Sequence, residues 1–158
     1  MTSELVIDTN VLAHCVNALE PRQADAIALV QRLSVGTQRI CVDEGFDVVE
    51  SRNRSVIGAE YLAHVCFGSP GHYLIQLLAS QGRIRIVPKR PGREHARTIN
   101  RCIRNNRDRV FVGVAWHSID KLLVSHDFRD FAPGKRAHIF DELDVRVREA
   151  SECLPLLD

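Results

Sequence analysis

The chain has 158 residues, of which 45% are hydrophobic and 26% charged, a composition typical of a globular domain. The net charge of +1 indicates no particular partner, and no apolar run reaches the roughly 18–20 residues that cross a bilayer. Because the N-terminus also lacks a signal-peptide pattern, we expect a cytoplasmic protein with no membrane partner. Five scattered cysteines without a C-x-x-C pair indicate reduced thiols, not a disulfide framework or a zinc site.

Apolar periodicity predicts strands alternating with helices along the chain. The predicted strands are residues 4–7, 39–42, 83–88, 121–127 and a last segment around Val145 and Val147. The predicted helices are residues 10–19, 21–34, 46–66 (mostly helical), 73–80, 93–105, 108–118 and a short one after Ser151. This alternation favours one α/β domain over residues 1–158, a three-layer α/β/α sandwich with a central, mostly parallel sheet.

Acidic residues lie where several predicted strands end. Asp8 follows "LVI", Asp43 follows "ICV" and Asp127 follows "LLVSH". Asp108 begins a helix on the same edge, and Glu50 lies about two helical turns beyond Asp43. Because ligands of parallel sheets bind outside the carboxyl ends of the strands, we expect these acids to lie close together.

Carboxylates that lie close together repel one another unless a cation lies between them. Hard oxygen ligands select Mg²⁺ or Mn²⁺, and two such ions can activate a water and stabilise the leaving oxygen in phosphodiester cleavage. The chain has no Walker loop or G-x-G-x-x-G motif, which excludes nucleotide binding by a glycine loop. Each acid also has a structural alternative: a helix cap for Asp8 and Asp108, a loop acid for Asp127, and a solvated helix residue for Glu50.

Three segments resemble the signature blocks of the PIN-domain family: "VIDTNVLAH" (6–14), "DRVFVGVAWHS" (108–118) and "LLVSHDFRDF" (122–131). Their order and spacing are similar to the family pattern over nearly the whole chain. The resemblance implies an α/β/α fold, three or four metal-binding acids and ribonuclease activity directed at single strands. Many bacterial members are VapC-type toxins, so it also implies an antitoxin protein as partner, and family members often form homodimers.

The resemblance assigns roles to individual residues. The catalytic metal ligands would be Asp8, Asp108 and Asp127. Supporting positions would be Thr9, Asn10, Ser125 and Asp130, although Asp130 lies one residue farther along than the usual family acid.

The second metal ligand of the family pattern is left open. The segment "CVDEGFDVVESRNR" offers four acids: Asp43, Glu44, Asp47 and Glu50. We favour Glu50 as ligand and catalytic acid, with Asp43 as second choice.

A basic segment precedes Asp108: residues 83–109 contain ten Lys or Arg and two acids. The predicted helix places four arginines on one face, and Arg52 borders the same groove; the four are Arg93, Arg97, Arg101 and Arg104. Arginine binds phosphate through paired hydrogen bonds, so this face is predicted to bind nucleic acid. A solvated face, or one that binds an acidic partner, is the alternative.

Together these features predict a Mg²⁺- or Mn²⁺-dependent endoribonuclease that leaves a 5′-phosphate and a 3′-hydroxyl, acting as the toxin of a toxin–antitoxin pair. The alternatives are a DNA or structure-specific nuclease of the same fold, and a degenerate PIN module that only binds. A receiver domain or a haloacid-dehalogenase-like phosphatase is less favoured. The latter needs an acid two residues after its nucleophilic Asp, where this chain has Asn10.

Overall fold

A computed structural model describes residues 2–157. In that range the chain forms an α/β fold in which five parallel strands lie between two layers made from eight helices. The predicted fold class is confirmed. No helix in the described range is both long and apolar enough to cross a membrane.

The central sheet has the strand order β3-β2-β1-β4-β5, and all neighbouring strands are parallel. The strands are β1 (Glu4–Ile7), β2 (Arg39–Asp43), β3 (Ile84–Val87), β4 (Leu122–Val124) and β5 (Arg146–Arg148). Strands β2 and β3 are added on one side of β1, and β4 and β5 are then added on its other side. The strand order therefore reverses between β1 and β4, and a crevice opens beyond their carboxyl ends.

Eight α-helices connect and cover these strands. They are α1 (Thr9–His14), α2 (Gln23–Val35), α3 (Val56–His64), α4 (Pro70–Ser80), α5 (Arg93–Cys102), α6 (Asn106–His117), α7 (Pro133–Leu143) and α8 (Ala150–Cys153). Short 3₁₀ turns form at Glu50–Arg52 and Leu154–Leu156.

The helices divide between the two faces because parallel crossovers are right-handed. Helix α6 packs on β1, β2 and β4, with α5 and α3 beside it and α7 against α5 and β5. Helix α2 packs with α4 and α8 in the other layer. Since both faces are covered, the apolar residues of β1, Leu5, Val6 and Ile7, are fully buried.

The prediction that residues 46–66 are mostly helical is wrong for the first half of that segment. Residues 44–55 form a loop with one 3₁₀ turn, and α3 begins only at Val56. Gly45 has φ +82°, and the Asp47 side chain accepts the Val49 N–H. The Asn53 side chain accepts the N–H groups of Asp47 and Ser55. These local side-chain bonds compete with helical hydrogen bonds.

Several other elements also differ from prediction, among them the first helix, which ends at His14 and not at 19. Strand β4 ends at Val124, so Asp127 lies in the following loop. Helix α5 ends at Cys102, so Arg104 lies beyond it. Helix α7 was not predicted, because its "PG" start (133–134) reads as a turn; here the proline occupies the first helical turn.

Candidate metal centre

The loops after β1 and β4 are joined at the point where the strand order reverses. The Asp8 N–H donates to the Val124 carbonyl at 2.8 Å, which continues the sheet by one bond. The Ser125 hydroxyl donates to the Asp8 carboxylate at 2.7 Å, and the Asn10 amide donates to the same oxygen at 3.1 Å. The side-chain oxygen of Asn10 accepts a hydrogen bond from the His126 backbone N–H at 3.1 Å. The segments "DTN" and "SHD" thus fix each other, and Asn10 and Ser125 both bond the Asp8 carboxylate.

Asp127 and Asp130 are held by a compact loop. The Asp127 N–H donates to the Ser125 hydroxyl oxygen at 3.0 Å. One Asp127 carboxylate oxygen accepts the N–H groups of Arg129 at 2.8 Å and Asp130 at 3.0 Å. Ser125 therefore contacts both Asp8 and Asp127 and links the two acids.

Helix α6 brings in the third segment. Its first turn is capped by the Asn105 side chain, which accepts the Arg107 N–H at 2.9 Å, so Asp108 is not the cap residue. Ligand oxygens of Asp108, Asp127 and Asp130 all lie within 4.8 Å of one another. Of the described residues, these three form the single group of His, Cys, Asp and Glu that meets this criterion for holding a metal.

Asp8 is close enough to this group to influence its ionisation. Burial raises the pKa of Asp8 to about 6, opposed by the Ser125 hydrogen bond and reinforced by the charge of Asp127. Burial also raises the pKa of Asp108 to about 8, together with a hydrogen-bonding contact to Asp130 and the charges of Asp8, Asp130 and Asp127. We call Asp8, Asp108, Asp127 and Asp130 the acid group.

The acid group fits a hard divalent cation. All of its donors are carboxylate oxygens, the type that Mg²⁺ and Mn²⁺ prefer. Within residues 2–157, the buried Asp108 Oδ2 has no hydrogen-bond partner. The buried Thr9 Oγ1 has none there either. A buried charged oxygen without a partner is unfavourable, and a bound cation would remove that cost. Thr9 makes no side-chain bond to Asp8, unlike Asn10.

Asp43, the second choice for the fourth ligand, has a structural role instead. Its carboxylate is fully buried and accepts the N–H groups of Val56 and Ile57 at 2.8 and 2.9 Å and the Ser55 hydroxyl at 2.5 Å. It thus satisfies the start of α3, where the helix dipole also favours a negative charge. Asp43 therefore caps α3, and its prediction as a metal ligand has no structural support.

Glu50 and its neighbours also lie outside the acid group. Glu50 is exposed in the 3₁₀ turn, because the helix predicted to carry it towards the site does not form. Asp47 pairs with Arg52, whose Nε lies 3.1 Å from a carboxylate oxygen. Glu44 accepts the Lys89 N–H at 3.1 Å. The preference for Glu50 as the second ligand therefore has no structural support.

Glu60, which the sequence patterns did not single out, pairs with a neighbour of the acid group. It is on α3, and its carboxylate is 3.2 Å from Nε of Arg107, the residue before Asp108. The signal was present in the sequence: Ser55 caps α3 by accepting the Gly58 N–H, and Ile57 and Tyr61 mark the buried face. A helix start at 56 would have directed attention to Glu60 instead of Glu50.

Arg136, on the unpredicted helix α7, braces the loop that carries Asp127 and Asp130. Its Nε donates to the Phe131 carbonyl at 2.6 Å and its Nη2 to the Ser125 carbonyl at 3.4 Å. The ring of Phe128, in the same loop, contacts the guanidinium groups of Arg22 and Arg136, which lie 4.1 and 4.9 Å from the ring centre. Because these contacts hold both ends of the loop, Arg136 positions the acids without touching them.

His126 is an anchor for the same loop. The Ala150 N–H donates to its Nε2 at 3.2 Å, so Nδ1 carries the proton and faces His14 Nδ1 at 2.9 Å. Burial and the neighbouring His14 lower the pKa of His126 to about 4. The imidazole is therefore neutral at pH 7.

The basic face is only partly as predicted. Arg93, Arg97 and Arg101 lie on α5 at helical spacing and are exposed, whereas Arg104 lies past its end. Arg52 pairs with Asp47 in the 3₁₀ turn. Nucleic-acid binding by these arginines stays a prediction.

Comparisons with known proteins add no family assignment. No known protein-family model matches the chain, and no curated protein matches it significantly.

Proposed function

We propose that the chain is a metal-dependent nuclease that hydrolyses phosphodiester bonds of single-stranded RNA. The observation that carries the proposal is the meeting of Asp8, Asp108, Asp127 and Asp130, from three distant segments, beyond β1 and β4. The raised pKa values of Asp8 and Asp108 and the unsatisfied Asp108 oxygen are the properties of a site that stabilises a cation. The PIN-family resemblance supplies RNA as the substrate.

The acid group would hold one or two Mg²⁺ or Mn²⁺ ions. Bound there, such an ion lowers the pKa of a water and neutralises charge on the phosphate. Ser125 and Asn10 keep the Asp8 carboxylate in one orientation through their two hydrogen bonds. Arg136 keeps the Asp127 loop in place. The products would be a 5′-phosphate and a 3′-hydroxyl.

We also propose that the protein is a cytoplasmic toxin that an antitoxin inhibits, and that it forms a homodimer. Growth arrest on expression, relieved by Asp8→Asn, is expected for a toxin.

The direct test is digestion of matched single-stranded RNA and DNA by the purified chain with Mg²⁺ or Mn²⁺. We expect cleavage of RNA that Asp8→Asn and Asp108→Asn abolish. Asp141→Asn, an exposed α7 residue, is the matched control and should cleave like the wild type. Equal cleavage by wild type and Asp8→Asn would contradict the proposal, and cleavage of DNA alone would assign the alternative substrate. Absence of both Mn²⁺ binding and cleavage would identify a degenerate module.

A further inference from the structure

We propose that a basic pocket at the start of α6 binds one nucleotide of the single strand that the acid group cleaves. The pocket, which we call the α6 pocket, lies between the β3–α5 connection, α5 and the first turns of α6. This inference rests on the proposed nuclease function and adds a substrate subsite to it. The α6 pocket has a volume of about 490 Å³, which lies within the range of roughly 300–1,000 Å³ found for ligand sites.

Cations dominate the polar part of the lining. Lys89, Arg90, Arg107 and Arg109 all line the pocket, and no acid does. The side chains of Lys89 and Arg90 make no hydrogen bond or ion pair with any residue in 2–157. Arg107 is 61% exposed and pairs with Glu60, so further donors of its guanidinium remain free to bind a ligand. These three side chains can therefore bind phosphate oxygens.

Arg109 has a different role, because its guanidinium is already occupied. It donates to the carbonyls of Ile103 and Asn100 and to the Asn106 side-chain oxygen, at 2.7, 3.2 and 2.9 Å. These bonds join the α5–α6 connection to α6. Arg109 thus shapes the pocket wall and adds positive charge to it.

The remaining lining suits a ribose and a base. Pro91, Ile99 and Val110 supply apolar surface. The Asn100 side-chain amide, which lines the pocket and makes no hydrogen bond in the described range, can bind a base edge. A pocket for a simple inorganic anion would not need this apolar floor, so the combination favours a nucleotide over a free phosphate.

The connection that carries Lys89 and Arg90 is fixed in place. A Cβ built on Gly113 of α6 would lie 2.0 Å from the Lys89 carbonyl oxygen, so only glycine permits this approach of the two backbones. The Lys89 N–H also donates to Glu44 at 3.1 Å. The two free cations therefore stand on a braced backbone, and binding does not require this backbone to be ordered first.

The pocket is next to the acid group along the chain. Arg107 and Arg109 flank Asp108, and successive residues of a helix point about 100° apart. The pocket and the acid group share the first turns of α6 but lie on different sides of the helix, because Asn106, Arg107, Arg109 and Val110 together cover the side opposite Asp108. A strand that crosses the start of α6 with its scissile phosphate at the acid group would place another of its nucleotides at the pocket.

The test measures binding separately from cleavage. A fluorescein-labelled 12-nucleotide RNA of mixed sequence is titrated with the full chain in EDTA, by fluorescence anisotropy, between 50 and 200 mM NaCl. The variants are Lys89→Gln, Arg90→Gln and their combination. Arg39→Gln is the matched control, because Arg39 is exposed at the amino end of β2, the opposite sheet edge.

We expect the double variant to bind on the order of tenfold more weakly at 100 mM NaCl, and the slope of log affinity against log salt to fall by about 0.7 for each phosphate that the variant no longer neutralises. Asn100→Ala should weaken binding without changing this slope, because Asn100 binds no phosphate. Arg39→Gln should bind like the wild type.

Three results would overturn the subsite: unchanged affinity and slope in the double variant, no RNA binding by the wild type, or a double variant that loses binding of a polyglutamate peptide and retains that of RNA. If the wild type binds RNA through Lys89 and Arg90 but never cleaves it with Mg²⁺ or Mn²⁺, the subsite stands and the nuclease proposal fails. If the wild type cleaves RNA and the double variant binds and cleaves equally well, the nuclease proposal stands and the subsite fails.

Discussion

Replacing Asp8 with Asn should stabilise the metal-free protein while it abolishes cleavage. Burial and the charge of Asp127 raise the pKa of Asp8 from 3.8 to about 6. At about 1.4 kcal/mol per pKa unit, ionised Asp8 destabilises the metal-free fold by about 3 kcal/mol above pH 6. The neutral amide removes this penalty, and its oxygen can still accept the Ser125 hydrogen bond.

The pH dependence has a definite sign. The folded state binds the Asp8 proton more tightly than the unfolded chain does, so stability is lost as pH rises from about 4 to about 6. The advantage of Asp8→Asn should therefore be complete at pH 7.5 and about half as large at pH 5. For a chain of this size, about 3 kcal/mol corresponds to a Tm increase of roughly 6–12 °C.

Thermal unfolding followed by circular dichroism in EDTA, at pH 7.5 and pH 5, measures this difference. Asp141→Asn, which removes an exposed carboxylate from α7, is the control and should leave the Tm unchanged. If Asp8→Asn unfolds at the wild-type temperature or below it at pH 7.5, the carboxylate of Asp8 is not held in an unfavourable environment. The inference that the acid group is built for a cation would then be wrong.

Three further outcomes are expected. Mn²⁺ at 100 times its dissociation constant should stabilise the wild type by about 2.7 kcal/mol, and Asp127→Asn should lose most of that Tm increase; an equal increase in both proteins would exclude Asp127 as a ligand. Asp43→Ala should lower the free energy of unfolding by about 2 kcal/mol or more in urea titrations, because the Val56 N–H and its neighbours lose a buried acceptor; a neutral effect would refute the capping role. Arg136→Met should reduce kcat by about 10- to 100-fold with a smaller change in KM, as found when residues behind metal ligands are replaced; a change in KM alone would indicate that Arg136 contacts substrate instead.

The fold was predictable because its strongest signals are local. Apolar runs such as Leu5–Ile7 mark buried parallel strands, and acids directly after them mark the carboxyl edge of the sheet. Asp8 follows from this rule, whereas Asp108 begins a helix and Asp127 lies three residues beyond β4, so these two acids also depended on the resemblance to the PIN-domain blocks. Whether these acids meet in space depends on the order of the strands in the sheet. The alternation of strands and helices allows only a few such orders.

The parts that failed depend on local hydrogen bonds that periodicity does not reveal. The capping role of Asp43 was not predicted, because aspartate both caps helices and binds metals and the sequence does not give its distance from α3. The helix predicted to carry Glu50 does not form, because polar side chains such as Asp47 and Asn53 stabilise a loop where the apolar pattern favoured a helix. The contact of Arg136 with the Asp127 loop was not predicted, because Arg136 lies on α7, and the proline at the start of α7 made that segment look like a turn.

Diffraction from crystals soaked in Mn²⁺, recorded for its anomalous signal, tests the central claim most directly. The account predicts an anomalous peak within about 2.5 Å of oxygens from Asp8, Asp108, Asp127 or Asp130, and no such peak in Asp108→Asn crystals. A well-ordered acid group without a peak, at Mn²⁺ concentrations that support cleavage, would contradict it, as would a peak bound only elsewhere on the molecule.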